Sequence, residues 1–365
     1  MALDSRARMI SRVPGPHGRH PAQCGTWPTE SICGEIDRFM NSFRAFRIFK
    51  EGDRVTGRVI ETTLDELTAG DVVIKAAYSS VNYKDALAAT GPRIIRTFPR
   101  IGGIDVSGTV VSSTDSRFTE GDSVIATSYE IGVGNDGGYS EYVRVPGDWV
   151  VPLPSGLTLQ ESMALGTAGF TAALAVHLLE HNGMTPDRGP VAVTGATGGV
   201  GGIAIAILAG LGYSVTAITG KESEREYLER LGATAVLSRH SIQFTDRPIE
   251  HGQWAAAVDA AGGDLLSWLV KATMAWAGVA STGLTGGTEL KLTVIPFILR
   301  GVSLIGIDSV TCPMDIRRIV WHRLATDLKR DLSTMIREIG LDELPEAFAT
   351  LASGGARGRF VVKIP

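Results

Sequence analysis

The sequence predicts a mixed α/β chain in which a β-rich first part is followed by a doubly wound parallel sheet and then by a short return to the first part. Three observations carry that prediction. From Phe43 to about residue 165, short alternating apolar runs are separated by turn residues, the signature of strands closing a partly open barrel or sandwich. After Thr167, apolar strands alternate with helical segments of about ten residues, which implies right-handed βαβ crossovers and a parallel sheet. Beyond that alternation the chain ends on a further β-rich run, RFVVKI.

Taken in order, the first forty residues are rich in Arg, Pro, His and Gly and have no apolar period. They are expected to be a disordered extension, 1–42, with Met40 as a candidate functional start. A β-rich domain is expected over 43–166. Its strands are VVIKAAYSSV (72–81), GTVVSS (108–113), DSVIAT (122–127) and SEYVRVP (140–146), and the pairs Gly70-Asp71, Gly121-Asp122 and Gly147-Asp148 mark its turns. The segment AGFTAALAVHLLEHNG has helical spacing, with Thr171 as a plausible cap and Gly183 as a plausible stop. A strand, a glycine loop and a second helix follow, then a strand over 213–219, a helix over 222–232, a short strand over 235–237, and the strands AAAVDAAG and GVASTG. These place a doubly wound domain over 167–303 and a C-terminal segment, 304–365, that packs back on the first domain.

Composition narrows the function classes. With 44% hydrophobic and 20% charged residues the chain can bury a core, and its net charge of −4 leaves no basic excess to neutralise nucleic-acid phosphates. Three cysteines, Cys24, Cys33 and Cys312, give no disulfide framework, so a reducing, cytoplasmic compartment is expected. The span Gly189 to Gly220 carries no charge, but its glycines and Thr-rich turns cut it into pieces too short to cross a membrane. A small-molecule substrate is the remaining partner.

The stretch VAVTGATGGVGG (191–202) supplies the chemistry. Its frame Ala196-x-Gly198-x-x-Gly201 is a dinucleotide fingerprint with Ala in the first glycine position. Gly198 lets backbone approach a pyrophosphate, Gly201 lets the helix pack close to the strand, and Thr197, Gly199 and Val200 complete a turn that offers free N–H groups and a positive helix end. The strand before and the helix after make the domain a Rossmann fold in the required context. Which dinucleotide is decided after the second strand, in TGKESER. There Lys221, with Thr219 and Gly220 before it, suits a 2′-phosphate, Arg239 is placed to reach the same phosphate, and Glu222 serves as a first-turn acid for the next helix. NADPH is the expected cofactor.

The motifs SSVNYKDALAATG, GIDVSGTV, GDWVVPLP, GTAGFTAAL, VTGATGGVGG, PFILRGVSLIGIDSV and GRFVVKI, in this order from Phe43 to Pro365, resemble the zinc-free acrylyl-CoA reductase and quinone oxidoreductase group of the medium-chain dehydrogenase/reductase superfamily. The resemblance implies a GroES-like catalytic domain joined to the Rossmann domain, and NADPH-dependent reduction of an activated double bond or a quinone. It also implies a homodimer with strands around LTVIPFILRGVSLIGID near the subunit contact. Zinc-dependent relatives carry Gly-His-Glu where this chain reads GGIDVSG, and add four structural cysteines. Asp105 alone makes no tetrahedral site, so no metal is expected.

Hydride transfer needs no protein nucleophile, only alignment and charge stabilisation. Tyr83 is the candidate for positioning nicotinamide and substrate and for donating a proton, since a phenol, with an ordinary pKa of about 10, keeps its proton at neutral pH. Asp85 is the candidate to orient Lys84 or Asn82. Thr167 and Thr171 resemble positions lining the nicotinamide pocket, and Leu284 is assigned to the same pocket. Arg93, Arg96 and Arg100 share one loop and could meet coenzyme A phosphates, Arg96 being the best single candidate. Acrylyl-CoA reductases often carry His-Trp where this chain has Asn135 and Asp136, which moves it toward the quinone oxidoreductases. Three readings follow: an enoyl-thioester reductase first, a quinone reductase second, and a non-catalytic NADP(H)-binding sensor or structural protein third.

Overall fold

The computed structural model describes residues 42–91 and 93–365. The extension up to Asn41, with Cys24, Cys33 and Met40, lies outside the described residues.

The first part is built from β1 (Phe43–Glu51), β2 (Arg54–Thr62), β3 (Val72–Val81), the helix α1 (Tyr83–Thr90), β4 (Arg100–Ile101), β5 (Asp105–Ser113), β6 (Ser123–Thr127), β7 (Tyr142–Val145) and β8 (Val150–Pro152). β1 and β2 form a hairpin on which β4 sits. The ladder β3, β5, β6, β8 is antiparallel, with β7 also on β3. Ile74, Val106 and Val124 are fully buried in one core together with Tyr139, while Ile125, next to Val124 on β6, points to the opposite face and is buried in a second core.

The long helix α2 (Leu159–His181) begins earlier than its spacing predicts. Its N-cap is Thr158, whose hydroxyl accepts from the Glu161 N–H while the Thr158 N–H donates to the Glu161 carboxylate, a reciprocal capping box. Thr171 is therefore no cap: it lies buried within the helix and donates its hydroxyl to the Thr167 carbonyl at 2.6 Å. The helix breaks direction at Gly166 (φ 51°, ψ −154°). Among the described residues it alone is long and apolar enough to cross a membrane, but 83% of its most apolar window is buried inside the protein.

The uncharged span 189–220 becomes β9 (Val191–Thr194), α3 (Gly199–Gly210) and β10 (Val215–Thr219). α4 (Arg225–Arg230), β11 (Ala235–Ser238), β12 (Trp254–Asp259), α5 (Gly263–Lys271), β13 (Thr273–Ser281), α6 (Ile295–Arg300) and β14 (Ser303–Gly306) follow. The sheet order is β11-β10-β9-β12-β13-β14, all parallel. This is the doubly wound Rossmann order, and its switch point lies between β9 and β12. The predicted helix over 222–232 is shorter, because a 3-10 turn, Glu222–Glu224, precedes α4. The run LTVIPFILRGVSLIGID, expected as strands, instead holds α6, with Pro296 in its first turn and Gly301 closing it in the left-handed conformation, before the edge strand β14. Proline supplies no backbone N–H for a ladder and suits a first helical turn.

After α7 (Met314–Ala325), the strand β15 (Ile336–Ile339), α8 (Leu344–Ala352) and β16 (Arg359–Lys363) return to the first sheet. β16 pairs antiparallel with β3 and parallel with β15, so the sheet runs β15-β16-β3-β5-β6-β8.

A Cβ at Gly166 would fall 2.5 Å from both Asp105 Oδ2 and Ser80 Oγ, and 2.9 Å from Arg359 Nη2, at a positive φ. Gly166→Ala should lower the unfolding free energy by about 3 kcal/mol, measured by urea denaturation. An unchanged midpoint would show that the kink is not needed.

Candidate active site

β9 ends at Thr194, and the chain turns through Gly195 (φ +59°) into Gly198, the N-cap of α3. A Cβ at Gly201 would sit 2.4 Å from the Gly195 carbonyl oxygen, so close packing of helix on turn requires glycine there. At Gly198 the nearest atom would be 3.3 Å away, so the protein itself constrains that position less. The first N–H groups of α3, on Gly199, Val200 and Gly201, have no intrahelical partner and face outward from a positive helix end. Thr197 is buried, and its carbonyl accepts from Gly358 N–H at 3.1 Å. Thr194 donates to Asp259 Oδ1 at 2.7 Å, and Asp259 also accepts from Gly262 N–H at 2.8 Å, which ties together the carboxyl ends of β9 and β12. Burial pushes the Asp259 carboxyl up.

At the end of β10, the Thr219 hydroxyl accepts from the Lys221 N–H at 3.0 Å. The Lys221 ammonium donates to the Ala356 carbonyl at 2.8 Å, which leaves it two further protons to donate. Arg239 lies across Gly220: a Cβ there would fall 2.5 Å from Arg239 Nε. Among the described residues Arg239 makes no ion pair. Glu222, expected only to complement a helix dipole, accepts from Ser238 Oγ at 2.5 Å and so joins the ends of β10 and β11.

The opposite end of the crevice is organised around Asp105, which is fully buried. Its Oδ2 accepts from Ser80 Oγ at 2.6 Å, Asn82 Nδ2 at 2.8 Å and Thr167 N–H at 2.8 Å; its Oδ1 accepts from Thr167 Oγ1 at 2.5 Å. Because Thr167 gives its proton to Asp105, the 2.9 Å contact between Ser128 and Thr167 must have Ser128 as donor. Ser128 and Tyr129 both have positive φ, 66° and 48°, a conformation that costs about 1–3 kcal/mol per residue and clusters at functional sites.

Asn82 caps α1, and its own N–H donates to Asp85 Oδ2 at 2.8 Å. The other Asp85 oxygen accepts from Ile104 N–H at 3.0 Å. Asp85 thus orients the backbone of Asn82 and is not paired with Lys84. Tyr83, the first residue of α1, is 38% exposed, so it stands at the surface of this buried network. Leu284, 57% exposed, lies in the loop after β13 beside Gly262.

Four members of the network were not singled out from sequence: Ser80, Ser128, Tyr139 and Arg359. Tyr139 is buried, donates to the Ser80 carbonyl at 3.2 Å, and is pushed well above its ordinary range by burial and by Asp85. A charged residue opening the apolar run RFVVKI is the one local signal for Arg359.

The three-arginine loop divides. Arg100 is buried and pairs with Asp136 at 3.4 Å, so it is not available to a ligand. Asp136 also accepts from the N–H groups of Thr68 and Ile101, a structural role. Arg96 pairs with Glu130 at 2.9 Å but is 71% exposed, and Arg93 is exposed.

Residues 68–155 match the model of the alcohol dehydrogenase GroES-like domain, and residues 199–326 that of the zinc-binding dehydrogenases. The chain is 52% identical over 326 residues to Bacillus subtilis YhfP, named as a quinone oxidoreductase, covering 88% of this chain and 99% of that protein. It is 46% identical over 318 residues to the acrylyl-CoA reductase AcuI of Ruegeria pomeroyi, covering 86% and 96%. The crystal structure of YhfP with NAD bound superimposes with a TM-score of 0.87 over 89% of this chain and all of that one. The Salmonella enterica yhdH oxidoreductase in complex with NADP, 42% identical, gives 0.86 over 88% of this chain and all of that one.

The sheets of the first part, the six-stranded parallel sheet and the glycine turn after β9 define an oxidoreductase fold of the GroES-like plus Rossmann type. The chain belongs to the medium-chain dehydrogenase/reductase superfamily, in the group that includes the AcuI and YhfP proteins. Among the described residues no three His, Cys, Asp or Glu side chains are grouped to hold a metal ion, and Asp105 is surrounded by hydrogen-bond donors.

Burial, and after it the charge of Asp105, pushes Asp85 up to about 7. An unfolded aspartate titrates near ~3.9. Between these values the folded chain holds a proton that the unfolded chain has released, so this group makes stability fall as pH rises from about 4 to about 7 and adds no slope above that. Urea unfolding across that window should show the decline in the parent protein and lose this part of it in Asp85→Asn. Identical slopes in the two proteins would refute the assignment.

Proposed function

We propose that the protein is a soluble, cytoplasmic, NADPH-dependent reductase that saturates the activated double bond of a small enoyl thioester such as acrylyl-CoA. The observation that carries this reading is the convergence, on one buried network, of the Asn82–Tyr83 segment, Thr167 and the glycine turn. Bound NADPH supplies the hydride. The N–H groups of Gly199, Val200 and Gly201, with Thr197 shaping the turn behind them, are to hold the pyrophosphate. Lys221 and Arg239, flanking Thr219 and Gly220, are to hold the 2′-phosphate. Leu284 closes one wall of the nicotinamide pocket, and Thr167 and Thr171 shape the other.

Once hydride has reached the β-carbon of an enoyl thioester, the α-carbon needs a proton, and Tyr83 is placed to position the acceptor and deliver it. Asp85 fixes the segment from which Tyr83 projects. Arg96 is to meet a coenzyme A phosphate, exchanging Glu130 for it. The engagement of Arg100 with Asp136 thins that cradle, which favours a second reading, NADPH-dependent reduction of a quinone with no CoA handle. Exposed Trp276, Val294, Ile298 and Leu299 support a homodimer through α6 and its surroundings.

Side-by-side rates of NADPH oxidation with acrylyl-CoA and with 1,4-benzoquinone test both readings. Turnover of the thioester is expected, with kcat falling about 100-fold in Tyr83→Phe; turnover of the quinone alone would establish the second reading. In the same assay Lys221→Ala should raise the KM for NADPH about tenfold, the loss of one charge-assisted contact, and leave that for NADH unchanged. Equal effects on the two cofactors would place Lys221 away from the 2′-phosphate.

A further inference from the structure

Arg359 is 4% exposed, yet it touches every element that meets at the site. Its Nε donates to the Ala164 carbonyl at 3.2 Å, in α2 just before the Gly166 kink. Nη1 donates to the Val81 carbonyl at 3.1 Å and to Asn82 Oδ1 at 3.0 Å, and Nη2 to Ser80 Oγ at 2.8 Å. Among the described residues its only carboxylate ion-pair partner is Asp105, at 4.0 Å. On the remaining side lies the nucleotide turn: a Cβ on Gly199, the first residue of α3, would sit 2.8 Å from Arg359 Cδ and 3.2 Å from Nη1.

Burying a cation among mostly neutral acceptors is a costly way to fill space, since apolar packing of the same volume is often as stable or more so. What a guanidinium adds is a rigid planar fork whose donors cannot move independently. Here one prong, Nη1, donates to the Val81 carbonyl and to the Asn82 side chain and lies against the turn at Gly199. Asn82 in turn occupies the N-cap position of the helix whose first residue is Tyr83, and its N–H is held by Asp85. Packing and hydrogen bonds therefore connect Gly199 through Arg359 to Asn82, the residue next to Tyr83.

We propose that Arg359 is a positioning residue that couples occupation of the glycine turn to the placement of Tyr83, so that nucleotide binding tightens the catalytic segment. The inference rests on the reading of that turn as the NADPH site. A ligand pressing on the first N–H groups of α3 fixes Gly199; Gly199 fixes the fork; the fork fixes Asn82. Lysine at the same position keeps the charge near Asp105 but cannot hold Ala164, Val81, Asn82 and Ser80 together, so the coupling is lost while the fold and the nucleotide site remain.

Amide hydrogen–deuterium exchange of the full chain, with and without saturating NADPH, tests this. NADPH should slow exchange over residues 82–90 about tenfold in the parent protein and leave it unchanged in Arg359→Lys, although NADPH fluorescence shows that the variant still binds. In the same variant kcat should fall about tenfold or more while the KM for NADPH changes less than threefold, about the cost of a small misplacement at the reacting groups. Equal protection in both proteins, or bound nucleotide without protection in the parent, overturns the coupling. Absence of any NADPH fluorescence change in the parent removes the nucleotide reading itself, and the inference with it. Should Arg359→Lys not fold, Gly199→Ala, which presses a methyl on the Arg359 side chain, is expected to abolish the same protection at saturating nucleotide, and full protection in it overturns the coupling equally.

Discussion

The buried carboxylate of Asp105 is the constraint on which the rest of the site depends. A carboxylate at zero exposure is tolerated only if donors surround it, and this one recruits them from three separate stretches of chain. Ser80 and Asn82 come from the end of β3 and the cap of α1, Thr167 from just beyond the break in α2, and Arg359 from β16. The kink at Gly166 follows directly, because only a residue without Cβ lets the helix pass close enough for the Thr167 N–H to reach the carboxylate. Burial first, and this neighbouring charge after it, raises the proton affinity of Asp85. One charge therefore sets the helix path and the strand ends and adds to the raised titration of a second acid.

The cations of the molecule divide by the same logic into those already spent and those left over. Arg100 and Arg359 are consumed in the interior by Asp136 and Asp105. Arg317 is buried between the rings of Tyr129 and Phe170, with its centre 4.5 and 4.7 Å from them, and bonds the Thr127 and Ser309 carbonyls. Lys221, Arg239, Arg93 and Arg96 keep accessible donors, and under the proposed function these are the cations left to meet phosphates. Charge count alone cannot make that distinction; the partner of each cation does.

Much of the architecture is legible locally. The run VVIKAAYSSV is β3 residue for residue, because period-two alternation and flanking turns are properties of the segment itself. The glycine turn is legible for the same reason, as steric need is written in consecutive residues. The start of α2 is legible too: Thr158-Leu159-Gln160-Glu161 is a capping box in sequence. A helix counted from Ala168 starts too late to include it, which puts Thr171 near a false N-terminus. The roles of Asp105 and Arg359 were not legible in this way. A carboxylate in a strand and an arginine opening a terminal apolar run declare nothing until β16 is paired with β3, a contact between distant parts of the chain. Arg100 misled for the complementary reason, since sequence proximity to Arg93 and Arg96 says nothing about burial.

The pairing of β16 with β3 also bears on the order in which the molecule can be completed during synthesis. β3, β5 and the strands around them leave the ribosome well before β16, yet the Tyr78–Val81 end of β3 lacks its partner, and Asp105 lacks its guanidinium, until that late strand arrives. The Rossmann sheet, whose strands all lie between these two stretches, has no such debt and can assemble first. A nascent or prematurely ended chain would then carry an assembled parallel sheet, its glycine turn and Lys221 still without Gly358 and Ala356, beside a short open strand end of the kind that invites mispairing.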